Sequence, residues 1–208
     1  MQLDELIETA RKNLSKNNIK IVGFCGRKGA GKSTAEDYLI KNGFTETAFA
    51  YSLKKSASNI FGYDYNLLLG KTPEDREKRE IWVHPVWEKT GREMLEYFGT
   101  EIMRNCFDKD VWVKSLLNNI ISYDFTENRG IVITDCRFQN EIDILEKIGG
   151  KICIIYNYEN DLKISDEDRK THISNWGFLE CKINDPLYIA NDGTIADFHN
   201  KIKEKLLN

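Results

Sequence analysis

Eight residues, Gly26-Arg27-Lys28-Gly29-Ala30-Gly31-Lys32-Ser33, constrain what this chain can fold into more than any other stretch. Glycine accepts backbone torsions and close approaches that a β-carbon obstructs, so Gly26, Gly29 and Gly31 let successive amide N–H groups turn inward around an anion. The flanks complete the pattern. Ile19-Lys20-Ile21-Val22-Gly23-Phe24 reads as a buried strand before the loop, and Ser33 to Asn42 has helical spacing after it. Strand, glycine-rich loop and helix in that order make a phosphate-binding loop, with the positive end of the helix dipole aimed at the anion. In such a loop Lys32 reaches the outer phosphates of a nucleoside triphosphate and the Ser33 hydroxyl ligates Mg²⁺.

At 208 residues the chain predicts one domain, residues 1–208, large enough to bury its own core without disulfides. Internal repeats, low-complexity tracts and proline-rich linkers are absent from the sequence, and Pro73, Pro85 and Pro186 fall in separate connections. A net charge of −3 argues against a broad, sequence-independent grip on polymeric nucleic acid, which draws on clustered Lys and Arg. No apolar run is long enough to cross a bilayer. The first segment, residues 1–17, is acidic and sets Leu3, Leu6, Ile7, Ala10 and Leu14 on one helical stripe; it reads as a packed amphipathic helix rather than an export signal. The five cysteines, Cys25, Cys106, Cys136, Cys153 and Cys181, are scattered without a zinc or redox spacing and read as small buried hydrophobes in a reducing, cytoplasmic setting.

Near-continuous apolar runs at Ile19 to Phe24, Ile131 to Thr134 and Lys151 to Tyr156 predict parallel strands covered by helices on both faces. Thr45 to Ala50 adds a weaker strand. Leu187 to Ala190, stopped by Asn191-Asp192-Gly193, adds a fifth before a helix from Thr194 onward. The expectation is an α/β fold with a five-stranded parallel sheet, and ligands in such sheets bind beyond the carboxyl ends of the strands. Residues 51–123 read as a mostly helical, aromatic-rich insertion, in which Thr72-Pro73-Glu74-Asp75 has the form of a helix start and Val83-His84-Pro85 reads as extended. Residues 157–176 are polar and read as a lid, with Ser165-Asp166-Glu167-Asp168 able to cap a short helix.

Ile131-Val132-Ile133-Thr134-Asp135 is an apolar run ending in a carboxylate, which suits Mg²⁺ or its waters beside Ser33, an acceptor-side contact, or simply the cap of the next helix. Phosphoryl transfer asks a protein for alignment, neutralised oxyanions and exclusion of water, so arginines are the residues to find. Arg27, Arg92, Arg104, Arg137 and Arg169 are the candidates, because a guanidinium grips phosphate oxygens in pairs and keeps its charge. A GTP-dependent switch is disfavoured: the sequence has no Asn-Lys-x-Asp segment and no Asp-x-x-Gly after a strand. Cys136 stands where motor-type ATPases place a second acid, and His84, His172 and His199 are too dispersed to suggest a metal site.

The segments GFCGRKGAGKST, SLKKS, GREMLEYFGTEIMRNCFDKDVWVKSL, ITDCRFQNEIDIL, KTHIS and IANDGTIADFHNKI together resemble the phage-type deoxynucleoside monophosphate kinases, over most of the chain from about residue 18. They resemble the animal-type phosphomevalonate kinases more distantly. The first resemblance implies a P-loop kinase three-layer sandwich with an acceptor-binding helical insertion and a lid. It implies transfer of the ATP γ-phosphate to a dNMP, with Mg²⁺ required and only small-molecule substrates as partners. By that similarity Lys28, Gly29, Ala30, Gly31, Lys32, Ser33 and Thr34 hold the ATP phosphates; Ser33 and Asp135 serve the metal; and Lys32, Asp135, Arg137 and Arg104 carry the transfer. Lys54, Arg92, Gly99, Thr100, Arg104, Trp112, Arg137, Gln139, Asn140 and Glu141 fall in the acceptor-side blocks, Trp112 as either a pocket wall or core packing. Asn191 and Asp192 lie where related kinases approach adenine, although Asn-Asp-Gly is equally a turn signal.

The sequence departs from the family pattern at Asn175, where an acidic residue commonly follows His-Ile-Ser, and in carrying the helix of residues 1–17, a surface for packing or for a homodimer. Two further readings stay open at this level: a kinase of another small phosphorylated metabolite, and a nucleotide-binding regulator that transfers nothing.

Overall fold

The computed structural model describes residues 2–125 and 127–207, apart from the side chains of Glu159, Asn160 and Ser174. Five strands, β1 (Lys20–Cys25), β2 (Phe44–Thr47), β3 (Gly130–Ile133), β4 (Lys151–Tyr156) and β5 (Leu187–Ala190), form one sheet in the order β2-β3-β1-β4-β5. Every pairing is parallel. The central strand β1 is buried at every position after Lys20, which is why its sequence is apolar without alternation.

Helices cover both faces. On one side Val22, Phe24, Val132, Ile155 and Ile189 pack with Ala35 and Leu39 of α2 (Lys32–Lys41) and with Phe198 and Ile202 of α9 (Ile195–Ile202). On the other, Gly23 faces Leu145 of α8 (Gln139–Lys147) so closely that an added methyl would sit 2.7 Å from its Cδ1. The amphipathic helix α1 (Leu3–Lys16) buries Leu6, Ile7, Ala10 and Leu14 and packs on α8. The Asn13 amide donates to the carbonyls of Ile120 and Ile121 near the end of α7 (Val111–Ser122), at 3.1 and 3.4 Å. The arrangement is the three-layer α/β sandwich that the strand pattern called for.

Boundaries follow from pairing. β2 runs from Phe44 to Thr47 rather than from Thr45 to Ala50, because its only neighbour, β3, ends at Ile133 opposite Thr47, and Ala50 already belongs to α3 (Ala50–Phe61). Thr194 accepts a bond from the N–H of Asp197 while Asp197 Oδ2 accepts from the N–H of Thr194, so α9 starts one residue later than Thr194 with a reciprocal cap.

The chain divides into two compact units, one comprising the residues up to Ala48 and from Leu116 onward, the other Phe49–Ser115. The second unit holds α3, α4 (Tyr65–Leu69), α5 (Pro73–Ile81) and α6 (Gly91–Glu96). Thr72 caps α5 with Pro73 at its first turn, as the sequence signals. Val83 pairs with Thr90 in a short antiparallel bridge. Beyond α6 the helix widens into an eleven-residue π-helical stretch, Tyr97–Phe107. Within it Gly99 admits Leu53 of α3, whose Cδ2 would be 2.7 Å from an added methyl.

Candidate active site

β1 delivers the chain to the loop at Cys25, and the backbone of the loop is shaped by what surrounds it. Gly26 has φ +149°, and a β-carbon there would strike the carbonyl oxygen of Ile155 on β4. Gly31, at φ +108°, lies against Asn191, whose amide nitrogen would be 2.5 Å from an added methyl. That amide donates to the Ala30 carbonyl at 3.0 Å, while the Asn191 N–H donates to Tyr156 at 2.8 Å. Asn191 thus stitches the loop to the ends of β4 and β5.

The helix α2 opens at Gly31 with no side chain capping it and no acidic residue in its first turn. Its first N–H groups and the positive end of its dipole together form an anion cradle. Lys32 folds back over the loop, its ammonium donating to the carbonyls of Gly26 at 2.7 Å and Arg27 at 2.8 Å. Burial, followed by the charge of Arg137, lowers the Lys32 pKa to about 8, against the opposing pull of Asp135 and the two cysteines Cys25 and Cys136. The same influences show that Arg137 and Asp135 lie within electrostatic reach of Lys32, as their positions just past β3 suggested.

The segment after Asp135 is held by Glu141, a carboxylate only 2% exposed. Its Oε2 accepts from the N–H of Arg137 at 2.8 Å and of Phe138 at 3.2 Å, which fixes the backbone that carries Arg137. Gln139 is engaged elsewhere: its Oε1 accepts from the Lys182 N–H at 2.7 Å and its Nε2 donates to the Lys182 carbonyl at 2.9 Å. Asn140 sits beside it on α8, half-buried. Asp192 pairs with Lys201 at 2.5 Å, which holds its carboxyl below the usual range, and Lys201 also donates to Ala190. Lys28 and Ser33 are exposed, Thr34 half-buried and Ala30 buried. Among the described residues no group of three or more His, Cys, Asp or Glu could hold a metal by itself. Mg²⁺ is usually bound by one or two protein oxygens together with substrate phosphates, a demand that a hydroxyl such as that of Ser33 and a carboxylate such as that of Asp135 could meet.

Within the second unit, Arg92 pairs with Glu96 at 2.6 Å and Arg104 donates to the Lys109 carbonyl at 3.3 Å. Lys54 donates to Leu69 at 3.3 Å. Trp112 is buried, and its indole N–H donates to the Gly99 carbonyl at 3.0 Å. Gly99, Thr100 and Arg104 all lie on the π-helical stretch.

The chain matches the family described as deoxynucleotide monophosphate kinase over residues 78–202, a stretch that includes β3, Asp135, Arg137 and α9. It belongs to that family. A protein of Acanthamoeba polyphaga mimivirus, provisionally given the same name, is 32% identical over 198 residues, 88% of this chain and 93% of that protein. The deoxynucleotide monophosphate kinases of Escherichia phage RB69 and Enterobacteria phage T4 are 28% and 27% identical over 116 and 120 residues. Those matches cover 56% and 55% of this chain, and 44% of each phage protein.

Two residues of this kinase-family chain stand out that no block of the resemblance marks, Asp161 and Asp168 in the 157–176 segment. Arg27 reaches across to them from the phosphate loop: its Nη1 and Nη2 grip the Asp168 carboxylate at 2.5 and 2.8 Å. Its Nε donates to the Asp161 carbonyl at 3.0 Å. Asp168 is held well below the usual carboxylate range, first by this guanidinium. The available sequence signals were an arginine inside the loop and an acidic run in the polar segment, which do not identify each other. Cys25, Cys136 and Cys153 are buried, and burial pushes Cys153 up to about 12. Cys106 is exposed and Cys181 half-buried, so the buried-hydrophobe reading fails for those two, which lie off the core strands. Among the described residues no helix is long and apolar enough to cross a membrane.

Proposed function

We propose that this chain transfers the γ-phosphate of ATP to a deoxynucleoside 5′-monophosphate, giving the diphosphate and ADP. The observation that carries the reading is the uncapped start of α2, with Lys32 folded over the loop and Arg137 and Asp135 in reach of it. The loop N–H groups and Lys32 take the donor phosphates, the ammonium exchanging two carbonyl partners for phosphate oxygens. Burial of an anion beside Lys32 raises its pKa again, so its charge is secured by the ligand it binds. Ser33 and Asp135 would hold Mg²⁺, which would supply charge neutralisation at the phosphate oxygens. Arg137, on a backbone fixed by Glu141, stabilises the transferring phosphoryl group. No side chain need act as a strong base, since the acceptor is already an anionic phosphate.

Lys54, Arg92, Gly99, Thr100, Arg104 and Trp112 are assigned to the acceptor by their positions in the family's blocks, together with Gln139, Asn140 and Glu141. The bonding of Gln139 and Glu141 to backbone supports a positioning role for those two. Asn191 and Asp192 border the adenine side, the segment 157–176 serves as the lid, and the whole chain works as a single kinase domain in the cytoplasm. ADP formation by the purified protein, with dAMP, dGMP, dTMP or dCMP added in turn, tests this. Stimulation by at least one of the four is expected, and indifference to all of them refutes the assignment.

A further inference from the structure

Arg27 occupies a loop position from which a guanidinium could grip phosphate, yet all three of its side-chain nitrogens already donate elsewhere. Besides the paired bonds to Asp168 and the bond to the Asp161 carbonyl, Nη2 donates to the Lys163 carbonyl at 2.6 Å. Arg27 and Asp168 are both largely shielded, with side-chain exposures of 23% and 16%. The groups that receive Arg27 are themselves built by short-range bonds. Asp161 Oδ2 accepts from the N–H of Asn157 and Tyr158 at 3.0 and 3.1 Å, and Asp168 Oδ2 accepts from the N–H and hydroxyl of Ser165, each at 2.8 Å. Two carboxylate-centred turns therefore converge on one guanidinium. A weaker link, Asn157 Nδ2 to the Gly29 carbonyl at 3.4 Å, runs parallel to it. The other end of Arg27 holds the site: its carbonyl accepts the ammonium of Lys32.

We propose that Arg27 is a positioning residue, a tie whose guanidinium secures residues 157–168 to the phosphate loop while its carbonyl seats Lys32, so that the order of the lid base and the affinity for the donor nucleotide are coupled through one side chain. This rests on the donor-site reading above. It assigns Arg27 no contact with phosphate, and it makes Asp168, far from the loop in sequence, as consequential for ATP binding as Arg27 itself. A lysine at position 27 keeps the charge but lacks the planar fork that pairs with a carboxylate and reaches two carbonyls.

The test is a double-mutant cycle on the full chain, with Arg27→Gln, Asp168→Asn and the two combined, plus Arg27→Lys. Two readouts are taken: amide hydrogen exchange across residues 157–170 without nucleotide, and the KM for ATP against kcat. Each single variant is expected to speed exchange in that stretch and to raise KM about tenfold with kcat within about twofold, the scale of a partly screened, charge-assisted pair. The double variant should be no worse than either single one, and Arg27→Lys should resemble Arg27→Gln. Costs that multiply in the double variant would overturn the tie, as would a fall in kcat for Arg27→Gln beside a silent Asp168→Asn. Unchanged exchange in both singles would do the same. A wild-type protein that forms no ADP with any dNMP removes the proposed reaction, whereas the exchange measurement still decides the tie.

Discussion

The phosphate loop and the 157–176 segment are both irregular backbone in the same unit, yet they keep their shapes by different means. The loop is shaped by stereochemistry: positive φ at Gly26, Gly29 and Gly31, and neighbours that leave no room for a β-carbon at Gly26 or Gly31. The segment consists of short 3₁₀ turns (Glu159–Leu162, Asp168–Lys170, Ile173–Asn175) held by carboxylates that accept from nearby N–H groups, and by Arg27. A shape fixed by backbone torsion does not depend on charge or on any one replaceable bond. A shape fixed by side chains can be loosened one bond at a time, which suits the lid role proposed for this segment.

Substitutions should expose that contrast. Lys32→Ala removes the ammonium but none of the torsional constraints, so the loop should survive while kcat/KM falls by about a hundredfold or more, the scale of losing one preorganised charge-stabilising donor; steady-state kinetics beside a melting curve checks both halves. Gly26→Ala attacks the torsion and the space together. It should lower stability by about 2–3 kcal/mol, or roughly 5–10 °C in Tm by calorimetry, and abolish nucleotide binding with it. The pH profile separates the two regions without mutation. With the Lys32 pKa lowered to about 8, the protonated fraction declines as pH rises past that value, so kcat/KM for ATP should fall about tenfold near pH 9. Exchange in 157–170, corrected for its intrinsic pH dependence, should stay level from pH 5 to 9, because Asp168 remains ionised throughout. Asp161→Ala is the mildest: it frees the N–H groups of Asn157 and Tyr158, and should raise exchange locally with about 1 kcal/mol or less of global cost.

The sheet was readable because its strands are continuous apolar runs with clear stops. Lys151–Tyr156 follows Gly149-Gly150, and Leu187–Ala190 precedes Asn191-Asp192-Gly193, so the start of the one and the end of the other were marked. β2 was overextended because Phe49 and Ala50 continue its apolar character, while its true end depends on where a partner some 85 residues away stops pairing. The π-helical run Tyr97–Phe107 has no signature in a pattern read at helical period. In the site, Lys32, Asp135, Arg137 and Asn191 could be grouped from sequence because all lie in the segments that follow strands at the carboxyl end of one parallel sheet. Gln139 with Lys182, 43 residues apart, and Arg27 with Asp168, 141 apart, could not: a side-chain partner across the fold leaves no local periodicity to read.

The most direct measurement follows the phosphoryl group itself. ATP labelled at the γ-phosphate is incubated with the purified chain, Mg²⁺ and each dNMP, for the wild type and for Lys32→Ala. Label appearing in a deoxynucleoside diphosphate, and nearly vanishing from it in the variant, is the predicted result. Label that stays in ATP, or passes only to inorganic phosphate whichever dNMP is present, contradicts the account.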